Sequence, residues 1–182
     1  SHPIRIAEEW SVVDNLSNGR VAVSAASGWH PDDFVLYPTN YADAKERMFE
    51  GIELVRRLWR GDTVDFPGVD GTPVAVRTLP RPVQAELPMW VTAAGNIETF
   101  VRAGQIGANL LSHLLGQTVE QVAPKVAAYR DARAAAGFDP ATGIGLVDRF
   151  ALMEVAWYGR QLRRMGEGKE PVPDEGALVA LL

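Results

Sequence analysis

Two stretches rich in small residues each come at the end of an apolar segment, and both could bind a ligand through the backbone. The first is Ser24-Ala25-Ala26-Ser27-Gly28-Trp29-His30, and the second is Thr92-Ala93-Ala94-Gly95-Asn96. In parallel α/β folds, ligands bind at the carboxyl ends of strands, which is where both stretches are predicted to lie. The first could admit a flat ring against its small side chains, with Trp29 as a wall. A tight βα turn anchored by Trp29 explains the same residues equally well.

The second stretch has the features of a phosphate site. Free N–H groups and the positive end of the helix dipole attract anions where a helix begins. Asn96 could cap that helix, and Gly95 would let a phosphate oxygen approach the backbone. Local sequence alone favours an ordinary βα connection, since neither stretch matches a Walker loop or a dinucleotide G-x-G-x-x-G pattern.

Two histidines follow predicted strands and could orient a substrate or an oxygen species. His30 comes just after the first strand, where a surface histidine without a role is the commoner case. His113 ends the third strand, where a pocket role and a structural role are about equally expected. His2 is a pocket candidate only if it ends a preceding strand. The histidines are not spaced as a metal pair and there is no cysteine, so no metal site is predicted.

The elements that would position these residues alternate between helix and strand. Helices are predicted over 4–16, 41–59, 97–103 and 118–137, and strands over 21–26, 89–93, 107–111 and 143–147. Two short apolar alternations within 61–76 predict a hairpin. Such alternation implies parallel strands joined by crossover helices, but it does not distinguish an open sheet from a barrel.

The helix ends and faces carry three more detailed expectations. The first helix is predicted to bury an apolar stripe, formed by Ile4, Ala7, Val12 and Leu16. Asn40 is placed to cap the second helix. Thr118 and Gln121 fit a capping box at the start of the fourth.

Composition argues against several classes of partner. The 182 residues are 47% hydrophobic, which is enough for one globular core, and the formal net charge is −5. A nucleic-acid surface would need clustered Lys and Arg, so none is expected. No apolar run approaches the roughly 20 residues of a membrane helix, and no signal segment opens the chain. We therefore expect a cytoplasmic protein that binds neither nucleic acid nor membrane.

Longer stretches resemble the bacterial luciferase-like flavin monooxygenases. Residues 3–20 resemble that family's "P-x-R-x-A-E … D-x-L-S-x-G-R" stretch, 47–61 its "R … E … L-W-x-G" helix, and 80–91 its "P-x-P-Q … P-x-W" lead into a strand. Three further segments are similar to the MupA-type subgroup, often found beside peptide and polyketide assembly lines: 26–31, 91–96 and 113–117. The likeness covers roughly residues 1 to 145.

The resemblance implies a (β/α)₈ barrel that oxygenates an organic substrate with reduced FMN, or F420 in some relatives, and O₂. Small-molecule or carrier-bound substrates and a flavin reductase are the implied partners, with a homo-oligomer as a further option. By the same resemblance, Ser27, Gly28 and Trp29 would meet the flavin phosphate or ring, and Ala26 would lie near the reactive face.

The second stretch has its own implied role. Thr92, Ala94, Gly95 and Asn96 match the segment that holds the phosphate in the family. Together the two stretches would bind the cofactor, while His30 and His113 stay candidates for a catalytic role.

The family's first three strands would lie before Ser1, so we expect a partial barrel with its N-terminal strands missing. Residues 1–147 are assigned to the central part of the barrel, and 148–182 to a helical tail that departs from the family pattern. An open barrel exposes strand edges and apolar faces, so catalysis is expected only if the chain assembles with a complementary piece or dimerises. Two other functions stay open: a non-catalytic flavin- or F420-binding protein, and a remnant without cofactor.

Overall fold

A computed structural model of the protein describes residues 2–147. The chain divides into two compact units, Ser1–Thr92 and a second that begins at Ala93. The predicted helical tail over 148–182 lies outside the described residues, and the division at 147/148 stays a prediction. No helix in the described part is both long and apolar enough to cross a membrane.

The first unit contains two helices, two short 3₁₀ turns and four strands. They are α1 (Pro3–Ser17), β1 (Val23–Ala25), the turns Pro31–Phe34 and Pro38–Asn40, α2 (Ala44–Arg60), β2 (Val64–Pro67), β3 (Pro73–Val76) and β4 (Met89–Thr92). Strands β2 and β3 form the antiparallel hairpin that the sequence predicts, with Val64 opposite Val76. Strands β1 and β4 are parallel, with Ser24 opposite Trp90. Since α2 lies between β1 and β4 in sequence, the crossover follows the predicted pattern.

Helix α2 supplies much of the core of this unit. One face is buried, and it consists of Phe49, Ile52, Val55, Leu58 and Trp59. The indole N–H of Trp59 donates to the carbonyl of Gln84 at 2.9 Å. Gly61 ends the helix with φ 96°, the left-handed conformation that glycine adopts without strain.

Helix α1 packs through a different face from the predicted stripe. Val12 and Leu16 are 44% and 83% exposed, whereas Ser11 and Asp14 are buried beside Ala7. The stripe is therefore wrong at Val12 and Leu16. Apolar spacing alone could not show that this helix turns a carboxylate inward.

The reason is that Asp14 finds its hydrogen-bond donors far along the chain. Its carboxylate accepts bonds from the N–H of Val83 at 2.6 Å, the N–H of Gln84 at 2.9 Å and the side-chain amide of Gln84 at 2.8 Å. We call these three residues the Asp14 cluster. Because a buried carboxylate needs such donors, the cluster fixes which face of α1 turns inward.

Helix α2 begins later than predicted, and Asn40 does not cap it. Asn40 is the last residue of the 3₁₀ turn Pro38–Asn40, so its backbone belongs to that turn and not to the start of α2. Asp43 is the N-cap residue, without a side-chain capping bond. Its carboxylate instead accepts a bond from Nε of Arg47 at 2.7 Å.

The described part of the second unit, residues 93–147, contains two helices and two strands. They are α3 (Ile97–Gln105), β5 (Asn109–His113), α4 (Val119–Ala135) and β6 (Ile144–Val147). Strands β5 and β6 are parallel, with Leu110 opposite Ile144. The predicted capping box is confirmed, because the side chain of Gln121 accepts the N–H of Thr118 and the Thr118 hydroxyl accepts the N–H of Gln121.

Two polar side chains are buried between α4 and β5. The hydroxyl of Tyr129 lies 3.0 Å from the carbonyl oxygens of both Ala108 and Gly143. The guanidinium of Arg133 donates to the carbonyls of Ala108 at 3.2 Å and Asp139 at 2.8 Å, and to the Tyr129 hydroxyl at 3.2 Å. We call Tyr129 and Arg133 with these three carbonyls the Arg133 cluster.

Both units confirm the predicted α/β class with parallel strands. Within residues 2–147, four strands form two parallel pairs, one in each unit. A closed (β/α)₈ barrel has eight parallel strands. The described part of the chain is therefore a partial barrel, as predicted.

Candidate functional site

The two small-residue stretches begin at neighbouring strand ends. Ala25 at the end of β1 stands opposite Val91 in β4, so the parallel strands finish at the same edge. The hydroxyls of Ser24 and Thr92 are hydrogen-bonded at 2.8 Å. The stretch that follows β1 therefore leaves the sheet beside Thr92, the last residue of β4.

A cavity of about 620 Å³ opens beside β1 in the first unit. Ala26 and Ser27 line it, together with Met48 and Ile52 from α2, and His2 also reaches it. Pockets for small organic ligands have volumes of roughly 300–1,000 Å³ and mostly apolar walls with a few polar groups. The cavity meets both conditions, so its residues fit a flat ring with polar substituents.

The next three residues of the first stretch do not line this cavity. Gly28 has φ 94°, and a Cβ there would lie 2.6 Å from the ring of Phe34, so only glycine fits. The carboxylate of Asp33 accepts the N–H groups of His30 at 2.9 Å and Trp29 at 2.7 Å. Both bonds hold the pKa of Asp33 below its usual value, and the bond from His30 has the larger effect.

This turn directs Trp29 outward. The indole is 74% exposed, and it stacks on the ring of His30 with 5.7 Å between centroids. The roles of Trp29 as a wall for the cofactor and of His30 in the chemistry stay predictions.

The second stretch contains the predicted helix cap. The side-chain oxygen of Asn96 accepts the N–H of Glu98 at 2.8 Å, and α3 starts at the next residue, Ile97. Gly95 is exposed, and a Cβ on it would meet nothing within 4 Å. There is room at this turn for a ligand oxygen next to the backbone.

His113 ends β5 and is half-buried. Its Nδ1 accepts the N–H of Leu115 at 3.2 Å, and its carbonyl accepts a bond from the side-chain amide of Gln117 at 2.6 Å. Because Nδ1 is the acceptor, the neutral ring carries its proton on Nε2. The imidazole is thus held in one orientation by the turn that follows the strand.

Sequence analysis missed Lys125, on α4. Its ammonium donates to the carbonyl of Ala94 at 2.9 Å and to the side-chain oxygen of Gln117 at 2.8 Å. The sequence held one indication of its position, because Lys125 follows Thr118 by seven residues and so lies on the same face of the helix. Without the structure, nothing indicated that this face meets the turn at Ala94.

The described residues also bear on metal binding and on charge. Among residues 2–147, no group of three or more His, Asp or Glu side chains could hold a metal ion. Arg47, which lines the cavity, pairs with Asp43, and this contact raises the pKa of Arg47. An ion pair therefore stands at the cavity, and the acidic residue Glu50 lines the same wall.

Comparisons with known proteins show which proteins the chain resembles. Residues 1–153 match the sequence model of a family described as luciferase-like monooxygenase. The chain is 31% identical over 99 residues to an F420-dependent glucose-6-phosphate dehydrogenase of Amycolatopsis mediterranei, covering 53% of this chain and 29% of that protein. It is 32% identical over 98 residues to the pyrimidine monooxygenase RutA of Klebsiella pneumoniae, covering 51% and 26%.

A solved structure shares the fold over most of the chain. The monooxygenase RslO1 of Streptomyces bottropensis superposes with a TM-score of 0.70 and 27% sequence identity, covering 92% of this chain and 53% of that one. The present chain thus spans about half of that structure and less than a third of the two curated relatives.

Proposed function

The chain belongs to the luciferase-like monooxygenase family, and on that premise we propose that it carries part of the active site of a flavin-dependent monooxygenase. The cofactor is reduced FMN and the co-substrate is O₂. The observation that supports this most directly is the meeting of Ser24 and Thr92 at 2.8 Å, because it brings two candidate cofactor segments to one sheet edge. Ligands of parallel α/β folds bind at such edges.

Each segment has a distinct task in this proposal. A bound flavin supplies the redox and oxygen chemistry, while the protein orients it and keeps water away. Ala26 and Ser27 leave space for the ring in the cavity that they line. Gly28 holds the loop that carries Trp29, and we propose that the exposed indole meets the flavin from outside the cavity.

The remaining candidates bind the phosphate or act near the substrate. Ala94, Gly95 and Asn96, following Thr92, receive the phosphate where α3 begins. His30 and His113 orient the substrate or an oxygen species.

The finer parts of the proposal concern partners. We propose a small-molecule or carrier-bound substrate of natural-product biosynthesis, as in the MupA-type subgroup, and a reductase that supplies reduced flavin. A homo-oligomer or a complementary chain would complete the barrel, in a cytoplasmic setting. F420 is the alternative cofactor, because two of the relatives are named as F420-dependent.

Titration with FMN, followed by flavin fluorescence with size-exclusion chromatography on the same sample, tests the proposal. We expect saturable quenching from a discrete species. Ala26→Phe fills the cavity and should raise the Kd by about tenfold or more, as overpacking a formed pocket does. Ala75→Phe is the matched control, because Ala75 is an exposed residue of β3 in the hairpin.

Three outcomes would change the conclusion. No quenching by the wild-type chain, or unchanged binding by Ala26→Phe, contradicts the proposed site. Tighter binding of F420 than of FMN would assign F420 as the cofactor in place of FMN. Binding without any effect on the rate at which O₂ reoxidises the reduced flavin indicates a non-catalytic flavin-binding protein.

A further inference from the structure

We propose that Lys125 is a positioning residue for the phosphate of the cofactor, an inference that rests on the proposed function. Its ammonium donates to two neutral amide oxygens, those of Ala94 and Gln117. These bonds leave its positive charge uncompensated. No carboxylate in the described part of the chain forms a salt bridge with it.

The bond to Ala94 fixes the direction of the next N–H group. The peptide between Ala94 and Gly95 is trans, so its carbonyl oxygen and its N–H point in opposite directions within one plane. Because Lys125 draws the carbonyl towards α4, the N–H of Gly95 points away from α4. Over residues 2–147 that N–H has no acceptor, and the space around Gly95 is open.

A second side chain extends the same constraint. Gln117 accepts from Lys125 through Oε1 and donates through Nε2 to the carbonyl of His113 at 2.6 Å. The turn at Ala94 and the end of β5 are therefore held by one chain of hydrogen bonds.

These features define the chemistry of the ligand group. A fixed N–H at Gly95, a helix start at Ile97 and an uncompensated ammonium all favour an anion with several oxygens. FMN carries such a group as a phosphate monoester, and riboflavin lacks it. Lys125 therefore distinguishes phosphorylated from unphosphorylated flavin, and its effect reaches the phosphate mainly through the peptide that it orients.

Parallel titrations with FMN and riboflavin test this role. Lys125→Met keeps the apolar stem and removes the charge and both bonds. We expect the Kd for FMN to rise about tenfold while that for riboflavin stays within about twofold, since riboflavin has no phosphate to accept the Gly95 N–H that Lys125 orients. Lys125→Arg should restore most of the FMN affinity, and Lys45→Met on α2 is the matched control.

A second readout does not depend on flavin binding. In the ¹⁵N-labelled chain, titration with inorganic phosphate should shift the amide resonance of Gly95 saturably, and Lys125→Met should abolish that shift. Equal weakening of FMN and riboflavin in Lys125→Met would show a purely structural role and overturn the inference, as would no change in either. If the wild type binds no flavin, the proposed function fails. The phosphate titration then still tests the role of Lys125, because the absence of a shift of the Gly95 resonance in the wild type would refute that role.

Discussion

Within residues 2–147, each unit buries one charged side chain without a counter-ion, but the charges are of opposite sign. In the first unit, the carboxylate of Asp14 accepts three bonds from Val83 and Gln84. In the second, the guanidinium of Arg133 donates to two carbonyls and to the hydroxyl of Tyr129. Backbone amides therefore stabilise an anion in one unit and backbone carbonyls stabilise a cation in the other.

The difference determines which unit responds to pH. A carboxylate can be protonated, whereas a guanidinium keeps its charge throughout the accessible range. Burial by itself would raise the pKa of Asp14, but the bonds from Gln84 and Val83 outweigh it and hold that pKa below its usual value. The first unit thus depends on a titratable group and the second on a permanent charge.

The largest expected effect comes from Asp14→Ala. The variant leaves three buried donors without an acceptor, so we expect a loss of about 3 kcal/mol or more in the free energy of unfolding of the first unit. Hydrogen exchange by mass spectrometry should show lost protection in 3–17 and 80–92 but not in 97–135. The exposed Asp65→Ala is the control, and equal loss in both units would contradict the comparison.

Acid should act on the same group with a somewhat smaller effect. The pKa of Asp14 is lower in the folded than in the unfolded state, so its stabilisation is complete above the unfolded value of about 3.9 and is lost as pH falls through the folded value. Urea unfolding measured from about pH 5 down to about pH 2 should therefore show the first unit destabilised before the second. Asp14→Asn should flatten this dependence; an unchanged slope would assign it to other carboxyl groups.

In the second unit, the contact between α3 and α4 leaves no room for a side chain at Gly104. A Cβ there would lie 2.5 Å from the carbonyl oxygen of Tyr129 and 3.1 Å from the backbone nitrogen of Arg133. We expect Gly104→Ala to cost about 2 kcal/mol through overpacking. The matched control is Gly51→Ala on α2, where nothing lies within 4 Å and helix propensity should add up to about 1 kcal/mol. Similar results for the two variants would refute the close packing of α3 on α4.

Tyr129→Phe should have the smallest effect, about 1 kcal/mol. The two carbonyls that lose the hydroxyl keep other donors, since Arg133 still bonds Ala108 and the N–H of Leu110 still bonds Gly143 at 2.7 Å. Thermal unfolding at pH 7 measures the change, with the exposed Tyr41→Phe as control. A loss as large as that of Asp14→Ala would show that the Arg133 cluster cannot compensate.

Features of the fold that depend on neighbouring residues could be predicted from the sequence. Asn96 bonds Glu98 two residues away, and Thr118 bonds Gln121 three residues away, so both caps were visible in the local pattern. The buried face of α1 was not, because the donors to Asp14 lie 69 and 70 residues further on.

The candidate site likewise contains residues that the local sequence could predict and residues that it could not. Small residues after a predicted strand indicated Ala26 and Ser27, which do line the cavity. The role of Trp29 as a wall stays a prediction, and its exposed position depends on a turn that the N–H groups of Trp29 and His30 set by donating to Asp33. Lys125 was missed because its partner Ala94 lies 31 residues earlier, a distance that no local pattern encodes.

The long separation within the Asp14 cluster also affects how the chain folds during synthesis. Helix α1 leaves the ribosome well before Val83 and Gln84 are made. Until they emerge, packing this face of α1 would bury the Asp14 carboxylate without hydrogen-bond donors, at a cost of several kcal/mol. The helix therefore stays exposed to solvent during this time. Docking of α1 therefore becomes possible only as β4, the partner of β1, follows out of the exit tunnel. A translational pause placed after β4 has left the exit tunnel would give this unit time to close before the next one emerges.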